Sequence, residues 1–148
     1  MQGTNRILPT LIATMALIGF SNSLLAQQSS DLRQSCVVLT NTSLPDTTIS
    51  SAEVIEANSF ASSGSNSTLI TPAFCRVVGI TSPQVNFEVW LPIDNWNGKY
   101  NGVGNGGMAG VISYAAMAGA LNRGYATAST DTGNDASVGL IDASWASR

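Results

Sequence analysis

Between Lys99 and Thr130 the apolar spacing changes twice, and no other passage restricts the fold as much. "KYNGVG" reads as a short strand running into glycine. From Val111 to Arg123, Tyr114, Met117, Ala118 and Leu121 recur at i, i+3, i+4 and i+7, the stripe of a helix with one buried face. Gly124 follows as its C-terminal cap, and "YATAST" returns to strand. A strand carried across a helix to its neighbour arrives parallel to it, because a parallel pair needs a crossover longer than any tight turn. The passage therefore predicts an α/β layer.

Upstream, "RVVGI" and "VNFEVWLP" both favour strand, with Val85, Phe87, Val89 and Leu91 alternating against Asn86, Glu88 and Trp90. Ser82-Pro83 between them predicts a turn and an antiparallel pair. "LPIDNWNG" is a loop, closed by a turn at Asn97-Gly98. Residues 27–35 are a polar leader. The Ser- and Thr-rich stretch from Val37 to Phe74 has no sustained helical period and no internal repeat, so it reads as an irregular arm with turns at Pro45-Asp46 and Ser63-Gly64.

The amino terminus bears on the compartment. Met1 to Arg6 is a short cationic segment, "ILPTLIATMALIGF" an apolar core too short to span a bilayer comfortably, and "SNSLLA" supplies small residues before a cut after Ala26. This is the pattern of a signal peptide, and the protein is expected to be secreted or periplasmic. Among six basic residues Arg6 leaves with that segment, so five remain against nine acidic ones, a net charge near −4. No basic cluster remains for a nucleic-acid backbone. Cys36 and Cys75 both lie in the exported part. In an oxidising compartment an even pair is most simply a disulfide, with free or catalytic thiols as the alternative. The chain has no histidine, which excludes a Cys–His pair and a mixed Cys/His zinc site within it. No metal or other cofactor is expected.

"NGVGNGGMAG" carries Gly102, Gly104 and Gly107 in the order G-x-G-x-x-G. Three readings compete. Glycines serve short strand-to-helix turns with no ligand involved. The same spacing cradles a dinucleotide pyrophosphate, with Asp131 at the end of the next strand as the ribose-binding acid. Alternatively, the backbone N–H groups of such a loop stabilise an ester's developing oxyanion, the role of the third-strand loop in α/β-hydrolases.

The residues themselves bear on that choice. "FCRV", "VWLPIDNWNGKYNGVGNGGMAG", "YAAMAGALNRGYATASTDTGND" and "SW" resemble the opening section of the tannase and feruloyl esterase family, from about Phe74 to Trp145. The resemblance implies an α/β-hydrolase fold, export, and hydrolysis of aromatic carboxylic esters of the galloyl or feruloyl kind. It assigns the oxyanion-hole N–H to Gly107, and it matches the family's early disulfide to Cys36 and Cys75. Members usually read "STDTGH" where this chain has "STDTGND", so Asn134 replaces a histidine outside the catalytic triad; Asp131 is then read as bracing its loop. On this reading residues 1–26 are a signal peptide, 27–75 an irregular arm closed by a disulfide, and 76–148 the first strands and helix of a truncated hydrolase domain.

A serine esterase also needs a nucleophile and an imidazole base. The chain contains no G-x-S-x-G, and Ser113, Ser129, Ser137 and Ser144 have no histidine to activate them. The section is expected to be inactive alone, with a small aromatic ester as the partner of the complete enzyme and no membrane or nucleic-acid partner. Asp94, Asp131, Asp135 and Asp142 raise a two-carboxylate alternative. Trp90, Trp96 and Trp145 raise another, a free-standing secreted module that binds a ligand without catalysis.

Overall fold

Alternation in β2 (Phe74–Thr81) and β3 (Val85–Pro92) is satisfied by antiparallel pairing, in register from Phe74 opposite Pro92 to Thr81 opposite Val85. These strands are the middle of a five-stranded sheet in a computed structural model that describes residues 13–62, 67–106 and 110–133. The chain begins with α1 (Ala13–Val37) and a single 3-10 turn, then forms β1 (Thr47–Ile55), β2 and β3. It continues through β4 (Tyr100–Val103), α2 (Tyr114–Leu121) and β5 (Ala126–Thr130). The sheet order is β1-β2-β3-β5-β4. β5 pairs antiparallel with β3, while β4 and β5, joined through α2, run parallel.

The arm differs from its expected irregular form. Residues 27–35 continue α1, helped by Gln27 Nε2 donating to Asp31 Oδ1 one helical turn on at 2.9 Å. Within 27–75 the residues "TTISSAEVI" form β1, paired antiparallel with β2. A bulge between Ile49 and Ser51 shifts the register and breaks the two-residue period by which a strand is recognised. The turn at Pro45-Asp46 is present, with Asp46 at a φ of 50°. Ser63-Gly64 lies outside the described residues, as do residues 1–12 of the signal segment.

Both faces of the sheet are covered. Alternation along β2 sends Cys75 and Val77 to one side, where they pack with Cys36, Ala52 and Ile93. Cys36 and Cys75 are bonded there, which fastens the end of α1 to the sheet. Phe74 points to the other side and packs with Phe60, Trp90, Met117, Ala118 and Leu121. Trp90, 0% exposed, meets Phe60 edge-on at 4.7 Å and Phe74 at 4.5 Å between ring centroids.

Helix α2 buries the stripe of Met117, Ala118 and Leu121 but is shorter than 111–123. At its start the Ser113 N–H donates to Ser129 Oγ on β5 at 3.1 Å, so a sheet side chain serves the N-terminal residue. At its end the N–H of Gly124 donates to Leu121 O at 2.8 Å and that of Tyr125 to Ala120 O at 3.2 Å, the paired bonds of a Schellman cap. Gly124 has a φ of 80°, and a Cβ there would lie 2.6 Å from Asn95 O. Asn97 joins the same corner: its side-chain nitrogen donates to Arg123 O at 2.8 Å, and its backbone N–H donates to Gly124 O at 2.9 Å.

Candidate functional site

In an open α/β sheet the carboxyl ends of parallel strands are where loops can gather around a ligand. Here that place is the end of β4 and β5. β4 stops at Val103, the glycine loop follows, and the chain re-enters the layer as α2 beside β5. Asn105 holds the first part of the loop, its Nδ2 donating to Thr130 O at the end of β5 at 2.7 Å. Asn105 Oδ1 is buried with no hydrogen-bond partner among the described residues.

The glycines are not demanded by the fold at the positions described. None of Gly102, Gly104 or Gly106 has a positive φ. Among the described residues a Cβ at Gly104 or Gly106 would meet no atom within 4 Å, and one at Gly102 only the Tyr100 ring at ordinary contact distance. Neither backbone angle nor packing among the described residues accounts for these three, which present bare backbone after β4. Gly107, to which the resemblance assigns the oxyanion N–H, lies outside the described residues.

Asp131 is occupied as a brace. Its Oδ1 accepts from the N–H groups of Asn86 and Gly133, both at 2.9 Å, and its Oδ2 from Asn86 Nδ2 at 2.6 Å. A carboxylate so engaged is poorly placed for a ribose, and the largely antiparallel sheet lacks the doubly wound form of a dinucleotide fold. Asp94 follows β3, which runs opposite to β5, so it lies toward the other end of the sheet from Asp131. There it lines a cleft of about 610 Å³ with Asn58, Thr71, Asn95 and Arg123. No two-carboxylate site forms from these two; Asp135 and Asp142 are outside the described residues. Ser129 is buried and Ser113 engages it through its backbone, while Ser137 and Ser144 are not described. Trp90 is internal and Trp96 is 62% exposed, so these two share no binding face; Trp145 lies beyond the described residues. Among the described residues no group of three or more Cys, Asp or Glu is placed to hold a metal.

One cluster beneath the loop was not anticipated from sequence. Glu88, 4% exposed, points into the α2 side of the sheet beside Trp90. Arg76 grips it twice, with Nε donating to Oε2 at 2.9 Å and Nη2 donating to Oε1 at 2.6 Å. Trp90 Nε1 donates to Oε2 at 2.9 Å and the Tyr114 hydroxyl to Oε1 at 3.0 Å. Four donors thus satisfy a buried carboxylate that would otherwise be costly. The hydrogen bond to Glu88 raises the pKa of Arg76 well above the ordinary guanidinium value. Burial first, and Glu88 second, push the Tyr114 hydroxyl up as well.

Comparison with known proteins adds to this arrangement. A probable feruloyl esterase B-1 of Aspergillus oryzae is 38% identical over 74 residues, 47% of this chain and 14% of its own. An uncharacterized esterase of Xanthomonas campestris is 44% identical over 143 residues, 94% of this chain and 24% of its own length. The crystal structure of feruloyl esterase B from Aspergillus oryzae superposes with a TM-score of 0.59 at 28% identity, covering 69% of this chain and 22% of that one. A second esterase structure from Aspergillus oryzae, at 22% identity and a TM-score of 0.62, shares the fold. The chain therefore spans about a quarter or less of the length of these relatives. Residues 68–148, the part that contains β2 through β5 and the glycine loop, match the family described as tannase and feruloyl esterase, and the chain belongs to that family.

Proposed function

We propose that this chain is the amino-terminal section of an exported carboxylic-ester hydrolase acting on aromatic esters of the galloyl or feruloyl kind. The observation that carries the reading is the glycine backbone at the carboxyl end of β4, against which no described residue packs at Gly104 or Gly106, in a chain of this family. In this reading a serine attacks the ester carbonyl and a histidine accepts its proton. Both the nucleophile and the base come from polypeptide beyond these 148 residues, since the chain holds no histidine. As the carbonyl oxygen becomes an oxyanion, the Gly107 N–H donates to it. The gain is greatest where charge develops and small for the bound ester, so the loop favours the transition state. The glycine-loop peptide then needs no side chain, only an open approach. Residues 1–26 act as a signal peptide, and the Cys36–Cys75 bridge suits a secreted or periplasmic protein.

The test is Gly107→Val in the full-length protein, meaning this section with the remaining length its relatives have. A side chain there crowds the carbonyl and displaces the donor. Loss of one oxyanion donor lowers turnover by about a hundred- to a thousandfold. We expect kcat on a soluble feruloyl or galloyl ester to fall by that order while KM changes much less. Near-normal turnover would refute the role of Gly107.

A further inference from the structure

We propose that Tyr114 is a positioning residue for the glycine loop, holding through its hydroxyl the point at which the chain leaves the loop and enters α2. This rests on the esterase reading above.

Among the described residues no atom lies within 4 Å of where a Cβ of Gly104 or Gly106 would be, and these glycines have no side chain of their own to pack them in place. Yet a backbone donor stabilises an oxyanion only if it is held within a fraction of an ångström of its target. The described bonds that hold the loop lie at its two ends. At the first end, Asn105 Nδ2 is fixed on the Thr130 carbonyl. At the second, two sheet side chains take hold of consecutive residues. Ser129 Oγ accepts from the Ser113 N–H, and Glu88 Oε1 accepts from the Tyr114 hydroxyl.

Glu88 is suited to be the fixed point. Arg76 binds both of its oxygens and Trp90 one, so the carboxylate cannot swing with the tyrosine. The Tyr114 ring, packed 5.3 Å from Phe60 and 6.1 Å from Trp90, makes the link stiff. The Tyr114 backbone N–H donates to Ile112 O at 3.0 Å, carrying that stiffness back into the segment before the helix. The bland alternative is that Tyr114 is only a core aromatic. It predicts that the hydroxyl matters to stability and to nothing else.

Tyr114→Phe separates the two, because it keeps the ring and removes only the hydroxyl. In the full-length protein, at a temperature where parent and variant are both folded by near-ultraviolet circular dichroism, we expect kcat on a feruloyl ester to fall about tenfold with KM within about twofold. Ser129→Ala, which removes the second grip, should do the same. Val77→Ala loosens the core on the opposite face of the sheet, away from the tyrosine, and should lower stability while the folded protein keeps its kcat. Hydrogen exchange should quicken at the amides of residues 110–114 in Tyr114→Phe and stay as in the parent within β2. An active parent whose Tyr114→Phe variant keeps its kcat overturns the positioning role alone. So does an equal loss of kcat in Val77→Ala. A folded parent that hydrolyses no aromatic ester overturns the esterase reading, and this proposal with it.

Discussion

Arg76→Met isolates the energetics of the buried carboxylate. The substitution keeps an unbranched apolar stem but removes both charge-assisted bonds to Glu88, whose side chain is 5% exposed. Glu88 keeps Trp90 and Tyr114 as donors but has no remaining cation within the cluster. Breaking a buried pair in this way costs about 3–5 kcal/mol, mostly because a charge is left without its partner. The Arg76 side chain is 24% exposed, so water reaches the vacated place and the lower end applies, about 3 kcal/mol. The guanidinium also lies 5.2 Å over the Phe60 ring, whose loss adds about 0.5–1 kcal/mol. The bond to Glu53 at 3.3 Å involves an exposed carboxylate and adds little. Removing the stranded charge should then restore stability. Arg76→Met with Glu88→Gln leaves an amide whose oxygen, in the place of Oε2, accepts from Trp90 and whose nitrogen, in the place of Oε1, donates to the Tyr114 hydroxyl, and we expect it to be about 2 kcal/mol more stable than Arg76→Met alone. Urea denaturation of the full-length protein, followed by tryptophan fluorescence and fitted with a common slope, measures both values. The reasoning is refuted if the second substitution lowers stability further, or if Arg76→Met lies within 1 kcal/mol of the parent.

Other consequences follow from single features. Replacing Cys36 and Cys75 together by alanine opens a loop of sequence separation 39, and in the chain-entropy model this should lower unfolding free energy by about 4 kcal/mol; a loss under about 1 kcal/mol by the same denaturation assay would count against that model here. Gly124→Ala must hold a φ of 80° and bring its Cβ to 2.6 Å from Asn95 O, so it should cost more than the roughly 1–2 kcal/mol of left-handed backbone alone, and an unchanged melting temperature would contradict the cap. Burial and Glu88 raise the pKa of Tyr114 above the ordinary tyrosine value of about 10. The neutral phenol is thus favoured by folding, and its contribution is complete below pH 10 and lost as pH rises through the folded-state value. Unfolding free energy should fall more steeply above pH 10 in the parent than in Tyr114→Phe, and parallel profiles would refute this.

Much of the sheet was legible because its central strands obey one simple period. In β2 and β3 the alternation and the Ser82-Pro83 turn point to the same antiparallel pair, and the stripe of Met117, Ala118 and Leu121 points to a helix. β1 escaped because a bulge interrupts its alternation and because serine and threonine serve an edge strand and a loop equally well. Glu88 escaped for a different reason. In a sheet covered on one side, a glutamate alternating with valine and phenylalanine belongs to solvent. This sheet lies between α1 and α2, so both faces are inside, and the set with Asn86 proved to contain the most buried residues of β3, Glu88 and Trp90. A signal for it did exist. The turn fixes Arg76 opposite Trp90, one diagonal step from Glu88 on the same face, which puts opposite charges within reach of each other beside an aromatic ring.

The candidate site was legible to a different depth at each of its parts. A glycine pattern announces that backbone is to be approached closely, but a backbone N–H is the same group in every residue, so no letter marks which peptide performs the chemistry. On the proposed reading the parts that hold such a loop are side chains: Asn105, Ser129, Tyr114 and Glu88 come from four separate places in the chain, and Glu88 and Ser129 stand side by side because β3 and β5 are paired. That asymmetry has a mechanical reason. A donor that must leave room for substrate cannot be packed from the substrate's side, so its precision has to be supplied from behind, through the sheet. In this chain the layer behind the loop is where the polar residues are buried. Glu88, Thr127 and Ser129 all lie on the α2 side, and with Thr71 they are the buried polar residues among those described. Ser129 and Glu88 hold the start of α2, and Thr127 donates to the Asn101 carbonyl of β4. A core that needed only to be stable would be better served by apolar groups of the same shape. The directional bonds found here instead fix how the two parallel strands and the helix between them are set against one another, which is the geometry that the proposed oxyanion donor would require.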